Sequence, residues 1–166
     1  MAPRRANAIG IFPGRGEGGG ILFSAHLDVS PVSQEERWLW QSDPFQPVIK
    51  HNRLFGRGAA DSKGGTAAIL ATLEALKKAD ITPAGDIRVA LTADGEGAMQ
   101  GVKTLIGSDV VQGIQGVIAV APTENRMCLT SKGRTDGWIH IYGQSAHTSL
   151  RDAGVNAIHT ASRFIH

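Results

Sequence analysis

The stretch Ile21-Leu22-Phe23-Ser24-Ala25-His26-Leu27-Asp28 decides the fold, because a short apolar run ends in two polar side chains. The apolar run predicts a buried strand over Ile21–Ala25. Side chains alternate along a strand, so His26 and Asp28 are expected to project from one face. Ligands of open α/β sheets bind at such strand ends. The pair suits a metal centre in which the imidazole binds Zn²⁺ and the aspartate orients the ring. A buried histidine that is hydrogen-bonded to a neighbouring aspartate is the alternative.

Composition limits the classes of protein that the chain can belong to. It has 166 residues, 42% of them hydrophobic, which is enough for a domain with a real core. A net charge of +2 does not indicate a nucleic-acid partner, and no apolar run reaches membrane-spanning length. The single cysteine, Cys128, cannot form an intramolecular disulfide, and no apolar segment follows Arg4 and Arg5 as in a secretory signal. We therefore expect a cytoplasmic protein with no nucleic-acid or membrane partner.

A helix is predicted over residues 65–79, because apolar residues recur there at helical spacing and two lysines occupy the last turn. Asp61 lies in the turn before this helix. Backbone N–H groups at a helix start can hold a carboxylate in one orientation, so Asp61 is a candidate site residue. A plain capping role for Asp61 is the alternative.

Further elements follow in alternating order. Asp86–Thr92 alternates apolar residues like a strand, a helix is expected at about residues 98–107, and Gly116–Val120 is another apolar strand. This order implies an α/β fold with a mostly parallel sheet flanked by helices. Residues 1–20 are rich in glycine and predict a flexible entry or a hairpin connection. Residues 30–55 predict a long ordered loop anchored by aromatic side chains.

The character of the sequence changes towards its end. Met127–Ser131 and Trp138–Tyr142 are predicted to be strands, and Gly154–Ile165 is predicted to be a helix. Two strands and one helix cannot bury a stable core alone. We therefore divide the chain into a partial catalytic α/β domain, residues 1–132, and the truncated beginning of a second α+β domain, residues 133–166. On this interpretation the sequence is a fragment, or another chain completes it.

Several polar residues are expected at the carboxyl ends of the strands, namely His26, Asp28, Asp61, Asp94 and Glu96. Carboxylates and an imidazole that converge at one sheet edge form the ligand set of a di-metal hydrolase. Asp61 lies 61 − 26 = 35 residues after His26, and Glu96 lies 96 − 61 = 35 residues after Asp61. Each step is about one βαβ crossover, so the spacing favours convergence.

The same residues resemble a known family, the di-zinc aminoacylases and carboxypeptidases. That family includes acetylornithine deacetylase, succinyl-diaminopimelate desuccinylase and glutamate carboxypeptidase. The resemblance covers nearly the whole chain in order, and it is carried by Ser24–Pro31, Trp40–Phe45, Leu54–Gly65, Gly143–Ser149 and Gly154–Ile158. It implies a zinc-exopeptidase-like fold followed by the start of a lid and dimerisation domain. It also implies a pair of Zn²⁺ or Co²⁺ ions that support hydrolysis of an amide bond in an N-acyl amino acid or a peptide.

The resemblance assigns expected roles to five residues. His26 would bind one metal and Asp28 would orient it, Asp61 would bridge the two ions, and Glu96 would bind the second metal. His147, in the lid, would reach a substrate carbonyl oxygen, commonly in the active site of a partner subunit, and stabilise the oxyanion. A solvated loop histidine is the alternative for His147.

Two positions depart from the family pattern. The family has paired acids after the residue that matches Asp94, and the first of them is the general base that takes the proton from the attacking water. Here that position is Gly95, followed by Glu96, and Asp94 would need a different backbone direction to replace the base. Ala121 stands where the family has an acidic metal ligand, and Glu124 would need a rearrangement to replace it. The resemblance also implies a last histidine ligand in a C-terminal segment that lies beyond this sequence.

Two functions therefore remain open. The first is a metal-dependent amide hydrolase that acts on a small N-acyl amino acid or peptide. A homodimer is the protein assembly that this hypothesis allows. The second is an impaired or inactive relative that keeps the fold and a self-association surface; on this hypothesis Gly95→Glu and Ala121→Glu together in a full-length context should raise activity. A nucleotide-binding domain is disfavoured, because no Gly-x-Gly-x-x-Gly lies between a predicted strand and helix.

Overall fold

The computed structural model describes residues 5–133, 135 and 137–165. Its strands and helices follow in this order: β1 (Ala8–Phe12), β2 (Gly20–His26), α1 (Gln34–Arg37), β3 (Val48–Lys50), β4 (Arg53–Phe55), α2 (Gly64–Lys78), β5 (Ile87–Thr92), α3 (Gln100–Ile106), β6 (Ile114–Ala119) and α4 (Ala157–Ile165). Short helical turns lie at Ala59–Lys63, Asp109–Val111 and Thr148–Ala153. The chain divides into two compact units, Met1–Met127 and Cys128–His166.

The first unit is built on a four-stranded sheet in the order β1-β5-β2-β6. β2 is parallel to both of its neighbours, β5 and β6, whereas β1 pairs with β5 in the antiparallel direction. In this register His26 lies opposite Thr92, the last residue of β5. The carboxyl ends of the central strands therefore meet at one edge, which is where the predicted site residues belong.

Apolar side chains on β2 and β5 form the small core of this unit. Leu22 and Ala90 are buried together with Leu105 of α3, and the residues packed against them are Val110, Val111 and Ile114. The apolar run of β2 lies in the middle of the sheet, where Leu22 and Ala25 are buried and Ile21 is 42% exposed. The predicted mixed α/β fold with a mostly parallel sheet is confirmed.

Three strands and two helices that were predicted from the sequence agree with the structure to within a few residues. The strands predicted at 21–25, 86–92 and 116–120 correspond to β2, β5 and β6, and the helix predicted at 65–79 is α2. The helix expected at 98–107 is α3. These elements have the longest uninterrupted apolar patterns, which are the most reliable local signal.

Two segments are more structured than predicted. The glycine-rich first 20 residues contain the edge strand β1, and residues 30–55 contain α1 and the β3–β4 hairpin. Ser33 accepts a hydrogen bond from the N–H of Glu36 at 3.0 Å and so begins α1. His51 and Asn52 both have positive φ, which is the conformation of a two-residue hairpin turn.

The second unit is described by itself, and it corrects two predictions. Met127–Ser131 and Trp138–Tyr142 are not strands; their backbones have no partner strand among the described residues, and Trp138 is 92% exposed. The apolar residues there satisfied a strand pattern, but a strand forms only where another backbone can pair with it. Helix α4 is present, and it starts at Ala157 because the Asn156 side chain accepts hydrogen bonds from the N–H groups of the first turn.

Within the described part of the chain, no helix has both the length and the apolar character needed to cross a membrane.

Candidate metal centre

His26 ends β2, and contacts at both ring nitrogens fix its orientation. Nδ1 lies 2.9 Å from the main-chain carbonyl oxygen of Asp28. A carbonyl oxygen can only accept, so Nδ1 carries a proton, and a neutral ring then presents its lone pair at Nε2. Nε2 lies 3.0 Å from Oδ1 of Asp61. The side chain of His26 is 18% exposed, but the Asp61 carboxylate that faces Nε2 is 49% exposed, so Nε2 lies on the open side of the site.

Asp61 lies in the tight turn Ala59–Lys63 that joins the hairpin to α2. Gly58 starts the turn with a φ of +81°, a conformation that favours glycine, and the Asp61–Ser62 peptide is cis. Ser62 is fully buried, and its hydroxyl donates to the carbonyl oxygen of His26 at 3.0 Å. The turn is therefore bonded directly to the end of β2, which places the Asp61 carboxylate against the imidazole.

Glu96 follows β5 and approaches the same place from the other side. Ser30 donates its hydroxyl hydrogen to Oε2 of Glu96 at 2.6 Å. The Asp28 carboxylate accepts hydrogen bonds from the N–H groups of Gly95 at 2.8 Å and Glu96 at 3.0 Å. Asp28 therefore holds His26 through its carbonyl oxygen and the loop of Glu96 through its carboxylate.

Ligand atoms of His26, Asp61 and Glu96 all lie within 4.8 Å of one another. His26 is half-buried and the two acids are exposed, so the cluster is open on one side. Two ligand atoms that are each about 2.1 Å from one zinc ion lie roughly 3.4 Å apart in a tetrahedral site, and the observed 3.0 Å between Nε2 and Oδ1 is close to that separation. Imidazole and carboxylate are suitable donors for zinc or cobalt.

The contacts at His26 supply an independent test of this fit. Both ring nitrogens face oxygen acceptors, so either the ring is a cation or a cation lies between Nε2 and Asp61. Burial lowers the pKa of His26, whereas the hydrogen bonds with the Asp61 carboxylate and the Asp28 carbonyl raise it. Together the raising effects outweigh the effect of burial, so the pKa stands above the usual 6.5. The residues therefore fit a positive charge at this point.

The electrostatics of Asp28 agree with its place in the site. Burial raises the pKa of its carboxyl group, whereas the hydrogen bonds from the N–H groups of Glu96 and Gly95 lower it, and the pKa stands below the usual 3.8. Asp28 is therefore a carboxylate at neutral pH. Its nearest carboxylate oxygen is 3.7 Å from Nδ1 of His26, so the main-chain carbonyl, and not the carboxylate, makes the hydrogen bond that orients the ring.

Gly95 and Asp94 supply no carboxylate to the cluster. A Cβ atom at Gly95 would lie 2.6 Å from Cγ of His26, so the backbone at this position packs directly against the imidazole. Asp94 has a φ of +65° and is 8% exposed. Its carboxylate accepts from the N–H of Ala98 at 3.1 Å and pairs with Arg5. Asp94 thus supports the turn that leads to α3.

Ala121 and Glu124 line a different cavity from the cluster. This cavity, of about 660 Å³, lies against α2, and Gly65 and Ile69 also line it. Neither residue belongs to the group of His26, Asp61 and Glu96. The structure therefore gives no ligand atom in place of the acid that the family resemblance expects at position 121.

His147 lies in the second unit, in an exposed loop. Its Nδ1 accepts a hydrogen bond from the N–H of Ser149 at 3.3 Å and lies 2.8 Å from the hydroxyl of the same serine. Because Nδ1 accepts from a backbone N–H, the neutral ring carries its proton on Nε2. His147 therefore presents an N–H donor.

Sequence reasoning missed three polar residues that build the centre. Ser30 bonds Glu96, Ser62 bonds the carbonyl of His26, and the Lys63 ammonium donates to the carbonyl oxygen of Leu27 at 2.7 Å. Each contact joins segments that are far apart in the chain, so no local pattern could have predicted it. The only local signal was that Ser30, Ser62 and Lys63 each lie one or two residues from a predicted site residue.

A mostly parallel sheet with a histidine and two acids at its carboxyl edge defines an α/β domain with a candidate metal centre. Comparison with known sequences gives the family. The chain belongs to the peptidase family M20/M25/M40, whose sequence model matches residues 22–152. This result confirms the resemblance.

Curated relatives agree with this membership. The chain is 34% identical over 150 residues to a probable succinyl-diaminopimelate desuccinylase of Staphylococcus aureus, an alignment that covers 90% of this chain and 37% of the relative. It is 35% identical over 145 residues to an acetylornithine deacetylase of Photorhabdus laumondii, which covers 87% of this chain and 36% of the relative. The chain thus spans little more than a third of the length of these relatives.

Solved structures support the fold. A tripeptidase from Staphylococcus aureus matches with a TM-score of 0.62 at 21% identity, covering 96% of this chain and 41% of that one. Human carnosine dipeptidase 1 matches with a TM-score of 0.59 at 21% identity, covering 68% of this chain and 24% of that one.

Proposed function

We propose that this chain carries the metal-binding part of a hydrolase that cleaves the amide bond of an N-acyl amino acid or a peptide. The observation that carries the proposal is the meeting of His26, Asp61 and Glu96, which come from three separate segments of a peptidase-family chain. The relatives support the substrate class, because they are named as a desuccinylase and a deacetylase.

In this proposal the residues of the chain hold and orient a divalent ion, Zn²⁺ or Co²⁺. When bound, such an ion polarises a carbonyl oxygen and makes water more acidic. His26 binds through Nε2 because its Nδ1–H is engaged by Asp28. Asp61 and Glu96 supply carboxylate oxygens, and Ser30 keeps one oxygen of Glu96 occupied so that the other can turn to the ion.

The proton of the attacking water has no carboxylate to accept it at Gly95. Losing a general base costs about 10²–10⁴-fold in rate, so we expect slow turnover. A catalytically impaired relative is therefore the second candidate function, and the glycine at position 95 is the one observation that favours it. The names of the relatives favour the hydrolase.

We further propose that His147 donates its Nε2–H to the substrate carbonyl oxygen and stabilises the oxyanion. Its hydrogen bonds at Nδ1 support this role, because they leave Nε2 as the donor. The family resemblance implies that this histidine acts in the active site of a partner subunit, so we also propose a homodimer. A cytoplasmic location agrees with the single cysteine, Cys128.

Hydrolysis assays on the 166-residue chain test the proposal. N-succinyl and N-acetyl amino acids and dipeptides would be incubated with the chain after treatment with a chelator and after addition of Zn²⁺ or Co²⁺. We expect slow hydrolysis that requires the metal and is lost in Asp61→Ala. The matched control is Glu124→Gln, an acidic residue that lies outside the cluster.

Activity at background level with either metal would contradict the hydrolase and favour the impaired relative. Activity that persists in Asp61→Ala would show that the hydrolysis comes from a contaminant or from another site.

A further inference from the structure

Asn7 stands directly before β1, at the end of the sheet where the candidate metal centre lies. Ala8 of β1 lies opposite Leu91 of β5 in the antiparallel register, so the residue before β1 meets the residues that follow β5. Those residues begin the loop that carries Glu96. Asn7 itself precedes residues 22–152, which the family's sequence model matches. Its contacts with the loop are therefore the observation that bears on its role.

The side-chain amide of Asn7 closes the neck of this loop. Oδ1 accepts the N–H of Ala93 at 3.0 Å, and Nδ2 donates to the carbonyl oxygen of Gly101 at 2.8 Å. A backbone N–H can only donate and a carbonyl can only accept, so these partners fix which way the amide is turned. The N–H of Gly101 in turn donates to the carbonyl oxygen of Ala93 at 3.2 Å. The two ends of the loop are thus bonded to each other and to one amide.

The neck of the loop is tightly packed. A Cβ atom at Gly101 would lie 2.5 Å from Oδ1 of Asn7 and 2.4 Å from the carbonyl oxygen of Ala93. Gly101 is buried and Ala93 is half-buried. A backbone polar group that loses its partner away from water costs free energy. The loop would therefore rearrange if the amide of Asn7 were removed.

The loop that carries Glu96 is held from two opposite sides. On the side of β2, the Asp28 carboxylate accepts the N–H groups of Gly95 at 2.8 Å and Glu96 at 3.0 Å. On the side of β1, Asn7 holds the two ends of the same loop. β5 lies between β1 and β2 in the sheet, so these contacts act across the full width of the loop. The place of Glu96 therefore depends on both.

We propose that Asn7 is a positioning residue of the candidate metal centre: its amide fixes the neck of the loop and so sets where the Glu96 carboxylate lies. Asn7 acts on a bound ion through this loop and not by contact with the ion. The inference rests on the proposed function, because Glu96 is one of the ligands proposed there. It adds the edge strand β1 to the elements that build the centre.

Asn7→Ala and Asp86→Ala form a matched pair of variants. Asp86 stands before β5 and accepts the N–H of Gly14, which follows β1, at 3.0 Å. Each variant removes a side-chain anchor from one end of the β1–β5 pair, and the end at Asn7 is the one that carries Glu96. We expect Asn7→Ala to weaken Zn²⁺ binding by roughly 10-fold, as loss of an outer partner does, and Asp86→Ala to leave it unchanged. Calorimetric titration of the metal-free chain measures both affinities.

Two further readouts separate positioning from a plain loss of stability. The Co²⁺ absorption spectrum reports the geometry of the ligands, and we expect it to change in Asn7→Ala and to stay the same in Asp86→Ala. Hydrogen exchange on the metal-free chain should be roughly 10-fold faster at the amides of Gly95 and Glu96 in Asn7→Ala, because their loop opens more often. In the unaltered chain the amide of Ala93 should be protected, a result that needs no variant.

Equal Zn²⁺ affinities and equal Co²⁺ spectra for the two variants would overturn the positioning role and leave the proposed hydrolase standing. An unaltered chain that binds no Zn²⁺ would instead contradict the proposed function. The contact of Asn7 with the loop would then still be decided by hydrogen exchange, and unchanged exchange at Gly95 and Glu96 in Asn7→Ala would overturn it. Rapid exchange of Ala93 in the unaltered chain would overturn that contact even if Asn7→Ala failed to fold.

Discussion

At the scale of single residues, the backbone at Gly95, directly after Asp94, packs against the imidazole of His26 and limits where the ring can lie. Gly95 leaves no room for a side chain, because a Cβ atom there would lie 2.6 Å from Cγ of His26. A glutamate at this position cannot reach the metal centre while His26 keeps its place. Gly95→Glu, which would restore an acid at this position, would therefore displace the His26 side chain from the place that we propose binds the metal.

Gly95→Ala should lower the affinity for Zn²⁺ by roughly 10-fold or more, because the added methyl group displaces a ligand whose orientation sets the affinity. Calorimetric titration measures the change. Gly116→Ala on β6 is the matched control, because a Cβ atom there meets nothing within 4 Å. Equal Zn²⁺ affinities of the two variants would show that His26 can move without weakening metal binding.

Ser30 gives a second prediction at this scale. Ser30→Ala removes the 2.6 Å hydrogen bond to Glu96 and should weaken metal binding by roughly 10–100-fold. Ser33→Ala is its control: that serine begins α1, so its loss should cost about 1 kcal/mol of stability with no change in affinity. Unchanged affinity in Ser30→Ala would mean that Glu96 is positioned by its backbone alone.

At the scale of elements, the connection between β1 and β2 is held against the start of β5. The carboxylate of Asp86 accepts the N–H of Gly14 at 3.0 Å and lies 3.4 Å from Arg88. The hydrogen bond from Gly14, followed by that from Arg88, holds the pKa of Asp86 below its usual 3.8. A lowered pKa stabilises the fold above the unfolded value, and this contribution is lost as the pH falls through the folded value.

Asp86→Asn should therefore lower the urea midpoint at pH 7 and make it less dependent on pH between about 5 and 3. Urea unfolding at a series of pH values measures this. Asp80→Asn controls for the loss of one exposed negative charge near the end of α2. If the two variants had the same pH profile, the contact with Gly14 would not contribute to stability.

The elements also show which parts of the fold could be predicted from the sequence. β2, β5 and α2 have long apolar patterns, so local reasoning found them. β1 lies in a glycine-rich stretch at the sheet edge, and four of its five residues are exposed, so its position selects only weakly for apolar residues. Strand pairing is not a local property, so apolar runs at 127–131 and 138–142 were wrongly predicted as strands.

The candidate site was only partly predictable for the same reason. The sequence indicated His26, Asp61 and Glu96 through their places after predicted elements, and the structure brings these three together. It could not indicate that the Asp28 carboxylate binds the loop of Glu96, because that contact spans 67 residues along the chain. The roles assigned to these residues stay predictions until metal binding is measured.

At the scale of the whole first unit, the candidate metal centre joins three segments: the end of β2, the turn before α2 and the loop after β5. An ion that binds only the folded chain stabilises it by about 2.7 kcal/mol at a concentration 100 times its dissociation constant. For a chain of this size that corresponds to a rise in Tm of roughly 5–10 °C.

Thermal unfolding followed by circular dichroism should therefore show a higher Tm with Zn²⁺ than after chelation. Asp61→Ala should unfold at the same temperature under both conditions, because the segment that carries it is no longer tied to the others by the ion. A rise in Tm that persists in Asp61→Ala would place the stabilising ion elsewhere.

The double engagement of Asp28 has an evolutionary consequence. Its carbonyl oxygen faces His26, and its carboxylate holds the N–H groups of Gly95 and Glu96. A lineage that replaces this residue keeps the main-chain carbonyl that faces His26 and loses the carboxylate that holds the N–H groups of Gly95 and Glu96. Drift at this one codon would thus release the loop of Glu96 while the imidazole keeps its orientation, so the site would decay through an intermediate form on which selection could still act.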